Sequence, residues 1–265
     1  MFLLLDNFKI ELNNRNYSKN TIRLYSNAIL SFLRFVKNDF NNEEKKIKTY
    51  LNYIKSPEMR RINYNAIKTF YKFSMHKNCP YQLEKVRGRK RLPNILSHNE
   101  IILILQTIKN ATHHSMISML YGSGLRVSDL VNLKVKDLDL DSLLLTIRQG
   151  KGNKDRITTI SEKLKPCLES LIKNKLSTDF VFTTTSSNKY SIRTIQKIFQ
   201  TALANSKINK KATCHSLRHS FATNLIKNGV DISVIKSLMG HKSIKTTMIY
   251  LHLADSEINR VKSPL

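Results

Sequence analysis

His215-Ser216-Leu217-Arg218-His219, then Met239-Gly240-His241, then Thr246-Thr247-Met248-Ile249-Tyr250: this C-terminal stretch decides how the chain is read. From His215 the residues keep helical spacing to Asn228-Gly229, a pair suited to a left-handed helix end. Asp231 can cap a second short helix carrying Ile232, Ile235 and Leu238, which Gly240 ends. Ser243 can cap a third, with Thr246, Thr247 and Tyr250 on it. His215 and Arg218 stand at i and i+3 and share a helix face. Arg offers bidentate donors matched to phosphate oxygens and keeps its charge. His exchanges a proton near neutral pH. Zinc is the rival reading, because His215 and His219 stand at i and i+4. A metalloprotease helix carries Glu after its first His, where this chain has Ser216. No nearby Cys or carboxylate cluster completes a site, so neither a metal nor another cofactor is expected.

The charge balance agrees with a phosphate-rich partner. Lys and Arg number 45 against 19 Asp and Glu, for a formal net charge of +26. Neutralising phosphates releases condensed counterions, so a one-signed excess of this size points to nucleic acid rather than to a membrane surface. Abundant Lys and Asn also fit an AT-rich genome, but that bias does not explain the shortage of acidic residues. Cys79, Cys167 and Cys214 are odd in number and widely spaced, which gives neither a disulfide framework nor a zinc ribbon. A reducing cytoplasm is expected. Met1-Phe2-Leu3-Leu4-Leu5 begins like a signal peptide, but Asp6 interrupts it and no small-residue cleavage site follows. No apolar run is long enough to span a bilayer.

Upstream of the C-terminal stretch, residues 1–83 read as a helical DNA-binding domain. Leu5, Phe8 and Leu12 share one face. Ser18 caps a helix bearing Ile22, Tyr25, Ile29, Phe32 and Leu33. Ile47, Tyr50, Leu51 and Ile54 make a third stripe. Ser56-Pro57 opens a fourth helix with Ile62, Ala66, Ile67, Phe70 and Phe73. Residues 84–94 have no apolar periodicity and hold Gly88, Pro93 and the basic residues Lys85, Arg87, Arg89, Lys90 and Arg91. They read as a linker that tracks a DNA backbone.

Residues 95–265 read as a second, mostly helical domain with a small antiparallel sheet. Ser97-His98-Asn99-Glu100 is a capping box before Ile101, Ile102 and Leu105. A helix covers Ser115 to Tyr121. Gly122-Ser123-Gly124 breaks it, and a new helix follows Leu125-Arg126. Leu143 to Arg148 and Arg156 to Ile160 read as strands joined by the turn Gly150-Lys151-Gly152-Asn153-Lys154-Asp155. Phe180-Val181-Phe182 reads as a short buried strand or extended segment. Ser191 caps a helix with Ile192, Ile195, Ile198, Phe199 and Ala202.

Gly124-Leu125-Arg126-Val127-Ser128-Asp129-Leu130, the Lys151 turn, His215-Ser216-Leu217-Arg218-His219 and Gly240-His241 followed by Tyr250 resemble the tyrosine recombinase (phage integrase) family. They are most similar to its small Xer-like and integron-integrase-like members. Each motif alone is weak; four in this order are specific. The resemblance covers the whole chain and implies a mainly α fold. A helical, SAM-like core-binding domain and a catalytic domain would form a C-shaped clamp on DNA. It implies site-specific cutting and rejoining of DNA through a 3′-phosphotyrosine, with Tyr250 as nucleophile.

Residue by residue, Arg126 resembles the first catalytic arginine, Lys151 the β-hairpin lysine, and His215 with Arg218 the His-x-x-Arg pair. His241 resembles the position taken by His or Trp. Taken singly, Arg126 could be a helix-start ion pair with Asp129, Lys154 competes with Lys151, and Tyr250 could be a core aromatic. The implied partners are double-stranded DNA with an inverted-repeat recombination site, and a homotetramer on two duplexes or a second recombinase. A tail after Tyr250, with Leu253, Ile258 and Val261, would dock on a neighbouring protomer or on its own domain. Two alternatives stay open: a type IB topoisomerase-like activity, and a non-catalytic DNA-binding protein on the same scaffold.

Overall fold

A computed structural model describes residues 2–37, 39–84, 94–148, 155–241 and 243–254. Lys151 and Lys154, the linker residues Lys85, Arg87, Arg89, Lys90 and Arg91, and the tail residues Ile258 and Val261 lie outside the described residues. The chain divides into two compact units, one up to Arg91 and one from Leu92 on.

The first unit is four helices, α1 (Phe2–Asn14), α2 (Lys19–Val36), α3 (Glu43–Tyr53) and α4 (Pro57–Ser74). Each expected stripe turns inward: Phe8, Leu12, Ile29, Phe32, Leu33, Ile47, Leu51, Ile67 and Phe70 are buried in one core. Both expected caps form. Ser18 Oγ accepts the Thr21 amide at 3.2 Å and Ser56 Oγ accepts the Met59 amide at 3.3 Å. Two polar side chains inside this core, Tyr50 and Asn63, pair with each other, as burial favours. Tyr50 Oη donates to Asn63 Oδ1 at 2.8 Å, and Asn63 Nδ2 donates to the Met59 carbonyl at 2.9 Å.

The second unit starts with α5 (His98–Gln106), α6 (Ala111–Gly122) and α7 (Val127–Val131). The Ser97–Glu100 capping box is present in both directions, at 3.2 and 2.7 Å. Helix α6 starts a turn earlier than its apolar spacing indicates, because Asn110 Oδ1 accepts the His113 amide at 2.9 Å. A 3-stranded antiparallel sheet follows, ordered β1 (Leu138–Asp139), β2 (Leu144–Ile147), β3 (Arg156–Thr159). In its register Leu144 faces Thr159 and Ile147 faces Arg156. Strand β1 is too short for its alternation to show in the sequence.

Phe180-Val181-Phe182 forms no sheet strand: Phe180 makes an isolated antiparallel bridge with Lys134, and the chain then bends at Val181 and Phe182. The Val181 amide bonds the Leu133 carbonyl at 2.9 Å, and Val181 and Phe182 are buried. Helices α8 (Lys165–Ile172), α9 (Ile192–Asn205), α10 (Cys214–Lys227), α11 (Ile232–Met239), α12 (Ile244–Thr247) and α13 (Ile249–Ala254) complete the unit. The third C-terminal helix expected from the sequence is thus split at Met248 into α12 and α13. Leu217 on α10 joins Ile104, Leu120, Leu145 and Phe199 in the main core. The other side of α10 packs Ala222 with Ile235, Met239 and Tyr250 in a small separate cluster. Helix α10 therefore lies between the main core and the element that carries Tyr250. Among the described residues, no helix is long and apolar enough to cross a membrane.

Candidate active site

The site is assembled by two glycine turns and one buried arginine. Gly124 has φ +59°, and a Cβ on it would overlap the Phe221 ring, so only glycine fits this turn. The turn sets Arg126 in extended backbone as the N-cap of α7. The Arg126 amide donates to Asp129 Oδ2 at 3.2 Å, and its guanidinium stands 3.8 Å from the same oxygen. Gly240, with φ +60°, ends α11 in the left-handed form; a Cβ there would sit 2.6 Å from Arg156 Cδ.

Arg218, only 1 % exposed, spans the two turns. It donates from Nη1 to the Gly124 carbonyl and from Nη2 to the Met239 carbonyl. A planar guanidinium fixed by two carbonyls is held in one orientation. Burial, with the Arg126 and Arg156 guanidiniums nearby, pulls Arg218 down to about 9; Asp129 and Tyr250 oppose the shift. Burial also lowers Arg126, against Asp129. A site that holds several cations this tightly is poised for an anion.

Tyr250 is 3 % exposed and its hydroxyl is hydrogen-bonded to His219 Nδ1 at 2.8 Å. His241 lies nearly parallel to the Tyr250 ring, at 17° with centroids 6.2 Å apart. His241 Nδ1 is hydrogen-bonded to Thr247 Oγ1 at 2.9 Å, which fixes the imidazole beside α12. Burial, followed by the charges of His215 and Arg218, takes His219 down to about 4. Burial and the Arg218 and Arg126 guanidiniums do the same to His241, also to about 4. Both imidazoles are therefore neutral at pH 7. Burial raises the Tyr250 phenol, while Arg218 and Arg126 pull it back. His215 is exposed, and its ring packs edge-on against His219 with centroids 4.5 Å apart at 83°.

Of the residues singled out from the sequence, Arg126, His215, Arg218, His241 and Tyr250 come together here. Lys151 lies outside the described residues, in the link between β2 and β3. Among the described residues no group of three His, Cys, Asp or Glu could hold a metal ion. Three further residues belong to the assembly. Asp129 accepts from Arg126 and from Arg156; Arg156 on β3 also donates from Nε to the Leu238 carbonyl at 3.2 Å. His219, weighed in the sequence only as half of a zinc pair, holds the Tyr250 hydroxyl. A signal for Arg156 was available: it falls in the inward phase of its strand, where an arginine needs a partner.

Comparison with known proteins agrees over nearly the full chain. The phage integrase family model matches residues 94–257, and that of the phage integrase N-terminal SAM-like domain matches residues 4–80. The tyrosine recombinase of Pseudothermotoga lettingae is 32 % identical, over 96 % of this chain and 95 % of its own. Tyrosine recombinase XerA of Pyrococcus horikoshii is 31 % identical, over 93 % of this chain and 88 % of its own. The crystal structure of XerH site-specific recombinase bound to palindromic difH substrate has the same fold. Its TM-score is 0.73 at 20 % identity, over 93 % of this chain and 80 % of that one. With both halves of the chain matched and the expected residues gathered around one phenol, the chain belongs to the phage integrase family, the tyrosine recombinases.

Proposed function

We propose that this recombinase cuts and rejoins duplex DNA at a specific site with Tyr250 as its nucleophile. One observation carries the assignment: the Tyr250 hydroxyl, hydrogen-bonded to His219, lies in the field of the Arg218 and Arg126 guanidiniums, which oppose the effect of burial on the phenol. Attack of Tyr250 Oη on the scissile phosphorus gives a 3′-phosphotyrosine and frees a 5′-hydroxyl. Arg126 and Arg218 stabilise the charge that builds on the non-bridging oxygens. Two of the five donors of Arg218 are committed to the Gly124 and Met239 carbonyls, which aims the rest. His241, neutral, donates a hydrogen bond to the same oxygens. Lys151 protonates the leaving 5′-oxygen, and His215 helps carry the tyrosine's proton. The phosphotyrosine conserves the bond energy, so the rejoining step needs no nucleotide.

Residues 1–83 form the core-binding domain, 84–94 a basic linker on the DNA backbone through Lys85, Arg87, Arg89, Lys90 and Arg91, and 95–265 the catalytic domain. Four protomers act on two duplexes whose sites are inverted repeats. A recombinase of the same fold, XerH, was solved on a palindromic substrate, which supports this site symmetry.

The test is covalent capture on fragmented DNA from the source organism, with Tyr250→Phe as control. Adducts that need Tyr250 and converge on one inverted repeat are expected. Adducts scattered without preference would mean relaxation chemistry instead. Tight DNA binding with no adduct would mean a non-catalytic binder.

A further inference from the structure

We infer that His219 is the general base for Tyr250, taking the phenolic proton directly on Nδ1 as the hydroxyl attacks phosphorus. The inference rests on Tyr250 being the nucleophile, as proposed above. The His219 Nδ1 to Tyr250 Oη distance is 2.8 Å, inside the range for proton transfer without rearrangement. The rings lie 5.5 Å apart at 48°, so the imidazole meets the hydroxyl and does not stack on the ring. A phenol O–H is a better donor than an imidazole N–H, and an imidazole nitrogen a better acceptor than a phenol oxygen. The bond therefore runs from Oη to Nδ1, with the His219 proton on Nε2.

The surroundings suit a base. Arg218 precedes His219 on α10, and His215 packs edge-on against it one turn earlier. From the other elements come Tyr250 itself on α13, His241 after α11 and Arg126 before α7. Tyr121 on α6, hydrogen-bonded to His98 on α5, meets α10 further along, at Asn224. Burial first, and then the cationic neighbours, keep His219 in its unprotonated form. An arriving phosphodiester brings negative charge to Arg126 and Arg218, offsets part of that field and raises the basicity of His219 at the moment of reaction. His215, exposed, gives the proton a way to solvent.

The step balances. The Oη–P bond forms, the P–O5′ bond breaks, the phenolic proton moves to His219 Nδ1, and the 5′-oxygen takes a proton from Lys151. Rejoining reverses each transfer, and His219 returns the proton to the leaving phenolate. No oxidant, reductant or co-reactant enters.

Single-turnover cleavage of a nicked duplex carrying the captured site tests this. His219→Asn keeps an acceptor near the Nδ1 position but cannot take up a proton. Its rate is expected to fall about 10²–10⁴-fold, and the acid limb of the pH–rate profile to disappear. A bridging 5′-phosphorothiolate substrate, whose sulfur leaves without protonation, should restore Lys151→Ala but not His219→Asn. An Asn variant within about threefold of wild type at every pH, while Tyr250→Phe is dead, would reduce His219 to a latch that only positions the tyrosine. An adduct formed by Tyr250→Phe would instead overturn the nucleophile assignment.

Imidazole ¹⁵N shifts of the intact wild-type protein, with Tyr250→Phe to assign His219, give a readout independent of any His219 variant. The Nε2–H tautomer with an accepting Nδ1 is expected. An Nδ1–H tautomer would sink the proposal.

Discussion

Asp129 and Arg156 form an ion pair in which each side chain is only 6 % exposed. Asp129 lies in the first turn of α7 beside Arg126, and Arg156 opens β3, the strand that follows the segment holding Lys151. Arg156 also reaches the Leu238 carbonyl at the end of α11 and packs beneath Gly240. One carboxylate and one guanidinium therefore tie together the three elements that carry Arg126, the hairpin and His241.

Breaking a buried pair by removing one partner costs about 3–5 kcal/mol, because a charge is left without compensation. Asp129→Asn should lower the unfolding free energy by about that amount, measured from the denaturant midpoint at unchanged m. Adding Arg156→Met should recover part of the loss, since the orphaned cation is then gone. A double variant as unstable as the sum of the singles would show that the pair is not the source.

Gly124→Ala and Gly229→Ala make a matched test of the first turn. Both glycines have positive φ, +59° and +77°, but nothing lies within 4 Å of a Cβ at Gly229, whereas at Gly124 it strikes the Phe221 ring. The left-handed conformation alone costs about 1–2 kcal/mol for a residue with a Cβ. Overpacking adds about 1–3 kcal/mol at Gly124 only. Gly124→Ala should therefore lower Tm clearly more than Gly229→Ala, and Phe221→Leu should narrow the gap. Equal effects would mean that the turn, not the ring contact, sets the cost.

Much of this was legible in the chain. Ser18, Ser56 and Ser97 announced helix starts that form as expected, because capping is a local interaction between residues three apart. The apolar stripes marked the cores for the same reason: periodicity is local. What escaped is non-local or conformational. Arg156 finds Asp129 across 27 residues, and no spacing rule encodes that meeting. The split between α12 and α13 at Met248 leaves the Ser243 cap in place, so the cap signal alone does not reveal it. His219 looked like a metal-type neighbour of His215 at i+4; its true partner, Tyr250, lies 31 residues on.

Arg218→Lys keeps the charge but loses the planar fork that reaches the Gly124 and Met239 carbonyls together. Strand cleavage should slow roughly 10²–10³-fold, the range for losing one oxyanion donor. DNA affinity should stay close to wild type, because the lysine keeps the positive charge that neutralises phosphate. Rates from single-turnover cleavage and affinities at fixed salt separate the two. A parallel fall in affinity and rate would make Arg218 a general DNA contact instead of a group that acts on the transition state.

His219 and His241 are each held at about 4, well below the 6.5 of a free histidine. The unfolded chain therefore binds more protons than the folded one between those values, and stability must fall as pH drops through this window. Above about 6.5 both states are unprotonated at these histidines and the effect vanishes. The clean interval is roughly pH 6.5 to 5, where ordinary carboxylates near 4 are still ionised in both states. Tm should decline there in wild type. His219→Asn and His241→Asn should each flatten the slope, whatever they do to Tm at pH 7.5, because the slope counts protons while the intercept counts contacts. A wild-type slope that neither substitution alters would place the acid sensitivity elsewhere and would mean that water reaches both imidazoles.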